Sequence, residues 1–431
     1  MNHIKPYNNI HSIINKIPIN NDILLLGEST HGTEEFYQER SDITKYLIQE
    51  KNYNIILFET DWFNLYNVNK YINNNSQAKN IDEALININN FPKWLWKNNI
   101  IIELIEWLKT YNSITNKKIY LLGLDCYLLI ESLAWLHIFF KLFDNDLFLK
   151  LKKDLYFIKD FKDNQYFINA LMTNQLEFTD IEFENYFQDL LITIQKNSNN
   201  YKTLCNEKNI DTIAVLSAEI CCDVIINSFE YFKKQYLEPS GSNASWNTRD
   251  QHMLMTTMKL KDNIADSKII IWAHNSHIGD ATASDSGGVD FSNNNNWNLG
   301  QMCRAMFSHT YIIGFGTYHG SVKASHKWGT DEEVFTLNLP LEYSIEYFIY
   351  KQSQLLNMKN CYIDLAKCNT IEPYCNYMKQ RMIGVIYCFS NEIQSHYVSY
   401  ILCKQFDLYI FINQTNALKD IIPKKKFTES F

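Results

Sequence analysis

Glycine and proline are scarce in this 431-residue chain, at 13 and 7 residues, which excludes collagen-like and Pro/Gly-rich low-complexity architectures. No apolar run reaches the ~18 residues that a membrane-spanning helix needs. The N-terminal stretch MNHIKPYNNIHSIINKIPIN lacks the continuous apolar segment of a secretory signal. The expectation is a soluble, cytoplasmic protein that does not engage membranes. Basic residues are also in deficit, 40 against 48 acidic ones for a formal net charge of -8. With no long basic stripe, nucleic acid is not an expected partner, and the short run Lys424 to Lys426 reads as a solvated tail. The 10 cysteines form no CxxC pairs, so reduced, mostly buried thiols are expected. No H-E-x-x-H occurs, and Gly27-Glu28-Ser29-Thr30-His31 has histidine where a nucleophile elbow needs its second glycine, leaving Ser29 a weak nucleophile.

Present instead are strand-like apolar runs at 23–27, 55–59, 118–124, 268–274, 310–316, 384–389 and 408–413, most of them separated by helical patterns. This alternation predicts an α/β fold with a largely parallel sheet flanked by helices. From about Leu128 to Glu238 the pattern turns to long aromatic-rich helical stretches without a convincing strand. The expected organisation is a first part of the core over 1–127, a helical insertion over 128–247 forming a wall or cap over a cleft, and a second part of the core over 248–431. Pro239 to Asn247 reads as a mobile link to a helix starting near Thr248. Gly279 to Asn298, rich in Gly, Ser, Asp and Asn, reads as a lid or binding loop.

The most informative segment is Leu24 to Glu39, LLLGESTHGTEEFYQE. It places Glu28 and His31 in the turn between a buried strand and an amphipathic helix over Thr33 to Glu50, where ligands bind in open α/β sheets. The helix N-terminus disfavours a second proton on the imidazole, so His31 is suited to act as a base. Other runs also end in ionisable residues: 55–58 in Glu59, 119–124 in Asp125, and KIIIWAHN in His274, followed by His277. One shared cleft holding Glu28, His31, Glu59, Asp125 and His274 is the simplest account. Two chemistries fit it. His274 and His277, three apart in HNSH, could chelate a metal together with His31, Glu28 and Glu59. Alternatively His31 activates water for attack on an ester or lactone, its tautomer fixed by Glu28 or Glu59, with Arg40 and a second histidine steadying charge. The competing readings are structural: Arg40 as a surface ion pair, Asp125 and Glu59 as backbone caps, and His277 as a satisfied strand-end residue. Tyr318 and His319 are candidate pocket-lining residues.

The blocks GESTHGTEEF, FETDW, LLGLDCY, WNTRDQHM, WAHNSHIGDA and NLGQMCRAMF with YIIGFGTYHGS, in this order, resemble the erythromycin esterase family, which includes proteins described as succinoglycan biosynthesis proteins. The later SIEYFI, RMIGVIYCFSNEIQSHY and FDLYIFINQTNAL extend the resemblance over nearly the whole chain. It implies an α/β core with a helical insertion and hydrolysis of an ester or macrolactone, macrolide antibiotics among the candidates, with no metal or other cofactor. His31 would be the general base, oriented by Glu28, with Arg40, Glu59, His274 and His277 completing the catalytic site. Asp125, Arg249 and Tyr318 would face the substrate, and Asp250 belongs to the same block as Arg249. The wider fold group also resembles haem-binding or metal-dependent proteins, so a metal or haem site is the rival expectation, and a non-catalytic accessory protein a third.

Overall fold

The computed structural model describes residues 3–115, 117–161, 163–173, 175–176, 178–237, 243–285, 296–419 and 421. Its strands are β1 (Ile4–Pro6), β2 (Ile23–Leu26), β3 (Ile55–Asp61), β4 (Tyr120–Asp125), β5 (Ile269–Trp272), β6 (Thr310–Ser325), β7 (Glu332–Thr336), β8 (Asn360–Asp364), β9 (Tyr377–Arg381), β10 (Tyr397–Ile401) and β11 (Leu408–Thr415). The main sheet has the order β1-β8-β11-β6-β2-β5-β3-β4, with β7 paired to the outer part of β6. From β11 to β4 every neighbour is parallel. Within this sheet only β8 and β1, at one edge, and β7 run antiparallel to their partners, while β9 and β10 form a separate antiparallel pair.

Both faces of the central strands are buried, which is why they read as unbroken apolar runs. In β2, Ile23 and Leu25 enter one core with Ile55, Leu57, Ile269 and Ile271. Leu24 and Leu26 enter the other with Ile56, Phe58, Ile270 and Trp272. The second core is closed by helices Glu34–Lys51, Trp62–Ile72 and Asn99–Ile114, which follow or precede the strands they cover. Helix Glu34–Lys51 buries Phe36, Tyr37, Arg40, Ile43, Thr44, Leu47 and Ile48, a stripe at helical spacing. It stops at Asn52, a left-handed cap residue at φ 60° whose short side chain tolerates that backbone conformation. The first core is closed by helices between β4 and β5, chiefly Leu129–Phe143, Asp180–Lys196, Ile213–Leu237 and Ala244–Asn263. Among the described residues of this stretch no strand occurs. None of the described helices is long and apolar enough to cross a membrane.

Three expectations are corrected. The run 384–389 is not a strand of the sheet. Its extended backbone instead exchanges single hydrogen bonds with Ser325, while Ile383 and Tyr387 bury in a small cluster with Val322, Ala324 and Leu337. The helix expected near Thr248 begins at Ala244, because the buried Ala244 and the stacked Trp246 anchor an extra turn. β1, β7, β8, β9 and β10 were not foreseen; the first three are short edge or near-edge elements of 3, 5 and 5 residues, and the last two are 5-residue strands paired only with each other. Residues 239–242 of the expected link and 286–295 of the expected lid lie outside the described residues.

The turn after β2 is built at close quarters. A Cβ on Gly27 would lie 2.0 Å from Asn275 Oδ1, and Asn275 cannot withdraw because its Nδ2 donates to Phe315 O at 2.7 Å. Gly27→Ala should therefore destabilise the protein by about 1–3 kcal/mol, read as a lower midpoint in denaturant with unchanged slope.

Candidate functional site

Parallel strands all present their C-terminal ends at one edge, and β2, β5, β3 and β4 are neighbours there. The residues just past those ends meet in two linked groups.

The first group is built on the turn after β2. Glu28 Oε1 lies 2.8 Å from His31 Nδ1, and Glu28 Oε2 accepts from Arg40 Nη2 at 2.6 Å. Arg40 is no surface ion pair. It is 0% exposed, donates Nε–H to Phe36 O at 3.3 Å, and its guanidinium carbon lies 4.6 and 4.7 Å from the rings of Tyr37 and Trp272, which stand at 81° to each other. Both are cation–π contacts. The turn is braced from outside, as His31 N donates to Ile383 O at 3.1 Å and Ile383 N to Ser29 O at 2.8 Å. The brace comes from Ile383, the residue just before the 384–389 run.

The second group surrounds Arg249, which projects from helix Ala244–Asn263. Its Nε and Nη2 donate to the two Asp125 oxygens at 2.8 and 2.6 Å, a bidentate pair, and Nη2 also reaches Glu59 Oε1 at 2.8 Å. The arginine face lies 5.1 Å from the Tyr127 ring. Beside it, His277 Nδ1 is 2.7 Å from Asp250 Oδ1 and His277 Nε2 is 3.2 Å from Glu59 Oε1. Burial alone would disfavour the imidazolium, but Asp250 and Glu59 outweigh burial and the Arg249 charge and push His277 up to about 9. In turn, burial would raise Glu59, yet His277 and Arg249 hold it well below the usual carboxylate range.

The groups join at His274. Its backbone N–H donates to Glu59 Oε2 at 2.8 Å, and its ring centroid lies 4.8 Å from that of His31. His274 Nε2 faces Ser29 O at 3.2 Å and Nδ1 faces Ser276 Oγ at 2.8 Å. Burial, then the neighbouring His31, keeps His274 well below its ordinary pKa, so it is a neutral side chain. The chelating HNSH pair imagined from sequence does not form, because both nitrogens of each ring are already engaged by protein groups. Among the described residues no cluster of three His, Cys, Asp or Glu side chains is arranged to hold a metal ion.

Thus Glu28, His31, Arg40, Glu59, Asp125, Arg249, His274 and His277 are brought together. Tyr318 is not. β6 runs on past the neighbouring strand ends, and Tyr318 stacks on Tyr350 at 3.6 Å and 7°, with no described contact to the charged cluster. Three residues went unassigned from sequence. Asp250 binds His277 and also accepts from Leu299 N at 2.8 Å. Asp61 accepts from Leu128 N at 2.8 Å and pairs in register with Asp125; burial and that like charge push it well above its ordinary pKa. Trp246 stacks on His277. The signal for Asp61 was its place two residues beyond Glu59 in FETDW, and for Trp246 the helical spacing of four to Asp250.

This edge, with a buried carboxylate–histidine pair on one side and an arginine–carboxylate–histidine network on the other, defines an α/β protein with a polar site at its strand ends. The chain belongs to the erythromycin esterase family, whose pattern it matches over residues 48–415, downstream of Glu28, His31 and Arg40. It is 23% identical over 353 residues to erythromycin esterase type II from Escherichia coli, covering 75% of this chain and 77% of that protein. Among solved structures, one described as a succinoglycan biosynthesis protein superimposes with a TM-score of 0.74 at 20% identity, covering 96% of this chain and 95% of the other. A histidine-to-asparagine variant of the erythromycin esterase EreC, in its open conformation, gives 0.65 at 17% identity over 95% and 94%. These structural likenesses show a shared fold.

The pH dependence of stability follows from His277. Its folded pKa of about 9 exceeds the ordinary value of ~6.5, so the folded state holds the extra proton between those limits. The contribution, on the order of 3 kcal/mol, is fully present below pH ~6.5 and lost as pH rises through the folded value. Wild type and His277→Gln, compared by denaturant unfolding across this window, should show a stability difference that shrinks as pH rises.

Proposed function

We propose that this protein is a hydrolase that cleaves a small-molecule ester or macrolactone with water activated by His31 and no metal. The observation that carries the reading is the short contact from Glu28 to His31 Nδ1, with Glu28 itself fixed by buried Arg40. A carboxylate paired with arginine only accepts, so His31 donates from Nδ1 and its lone pair lies on Nε2. Nε2 has no protein partner among the described residues, and His31 keeps 7% exposure.

In this mechanism Nε2 takes a proton from water as the water oxygen bonds to the ester carbonyl carbon. Glu28 stabilises the resulting imidazolium, as the carboxylate does in a serine-protease triad. The tetrahedral oxyanion then re-forms its carbonyl, the C–O bond to the alcohol breaks, and the His31 imidazolium returns its proton to the departing oxygen. One water is consumed, and one acid and one alcohol appear. A lactone gives both on a single opened chain. The neutral His274 ring beside His31 supplies no competing positive charge, and the Arg249 network keeps the His274 backbone in place through Glu59.

Macrolides are a natural first panel because the chain resembles erythromycin esterases, and simple esters test the chemistry without that assumption. His31→Asn should lower hydrolysis by about 10²–10⁴-fold with folding unchanged, while Ser29→Ala should stay within a few-fold of wild type. Mass spectrometry of products, in the presence of chelator, measures both. Near-wild-type turnover by His31→Asn would remove the general base. Loss of activity in Ser29→Ala would point to covalent catalysis, and loss in chelator to a metal.

A further inference from the structure

His277 is held by one face of one helix. Trp246, Arg249 and Asp250, spaced by three and four positions, lie side by side on helix Ala244–Asn263. Asp250 takes His277 Nδ1 at 2.7 Å, and Arg249 Nη1 lies 2.8 Å from Nε2. The Trp246 indole covers the ring face, with centroids 4.1 Å apart and planes within 6° of parallel. Two in-plane partners and one face partner leave the imidazole no free rotation about its side-chain torsions.

The in-plane partners compete at one of the ring nitrogens. Nε2 faces Glu59 on β3 at 3.2 Å and Arg249 at 2.8 Å, one favouring a protonated nitrogen and the other an unprotonated one. The charged and titratable groups packed around it are Glu59 from β3, Asp125 from β4 behind Arg249, Arg249 and Asp250 from the helix, and His274 from its own segment, with His31 beyond. Within this set the indole is the neutral partner whose π-face attracts a cation.

We propose that Trp246 is a positioning residue for the site, its indole stacking on His277 to hold that ring as an imidazolium in line with Glu59. The consequence runs along bonds already described. Imidazolium His277 fixes one Glu59 oxygen, the other Glu59 oxygen holds the His274 backbone N–H, and the His274 ring packs on His31. This rests on the hydrolase reading only for its effect on catalysis; the effect on His277 stands without it.

The test is an NMR titration of the His277 ring in the full-length protein. Trp246→Leu, which keeps an apolar side chain but removes the π-face, should lower the His277 midpoint by about one pH unit, a tenfold loss of proton affinity. Trp246→Phe should recover most of it. A folded Trp246→Leu protein with an unchanged midpoint, or a wild-type His277 that is neutral at pH 7, would overturn the proposal. On any ester that wild type hydrolyses, Trp246→Leu should lower kcat several-fold with KM unchanged, and a change confined to KM would contradict a positioning role. If wild type hydrolyses no ester, the hydrolase reading fails, and the titration still decides the role of Trp246.

Discussion

The buried ion pair between Glu28 and Arg40 is the constraint on which the rest of the site depends. Removing two charges from water costs several kcal/mol per ion, and it is recovered only with good geometry and additional partners. Here the geometry is a 2.6 Å contact, and the partners are the Phe36 carbonyl and two aromatic faces. The pair ties the turn after β2 to the helix that follows it, so Glu28 cannot swing away. Its second oxygen is committed to His31. An ion pair is weak evidence for stability, since apolar residues of equal volume would serve as well or better. Its presence where it aims a carboxylate at the largely buried His31 is better understood as a device for orientation.

Sheet order explains why a second, linked network lies beside the first. β5 sits between β2 and β3, so His274 and His277, which follow β5, bridge the Glu28 turn and the Glu59–Asp125 pair from β3 and β4. Arg249 crosses from the helical layer and neutralises the two carboxylates that the strands deliver together. Without it, Glu59 and Asp125 would repel each other in a dry environment. Asp61, beside Glu59 on β3, pairs with no such cation among the described residues and is driven toward its neutral form. The helical layer is thereby part of the site as well as a cover for one face of the sheet.

Much of this was legible in the sequence. Burial on both sheet faces makes the central strands continuous apolar runs, and ionisable residues placed just past them mark the edge where they meet. What could not be read depends on partners distant in sequence. GVIYCF at 384–389 has strand composition, yet it makes only single backbone bonds to Ser325, while Ile383 just before it braces the His31 turn. Tyr318 follows an apolar run, as the site residues do, but β6 continues well beyond its neighbours and carries it away. For Arg40 the site role and a surface ion pair both stayed open, because nothing local shows that Tyr37 and Trp272 pack against it. Trp246 and Asp250 acquire their meaning only when the helix is laid against His277, 27 residues from Asp250.

The central claim is that Glu28, fixed by Arg40, sets His31 with its proton on Nδ1 and its lone pair on Nε2. The most direct measurement is the tautomer of the neutral His31 ring, read from its ¹⁵N shifts in the full-length protein and in Glu28→Gln. The account predicts the Nδ1–H form in wild type, with that preference weakened or lost in Glu28→Gln. A wild-type ring protonated on Nε2, or a tautomer indifferent to Glu28, would contradict it.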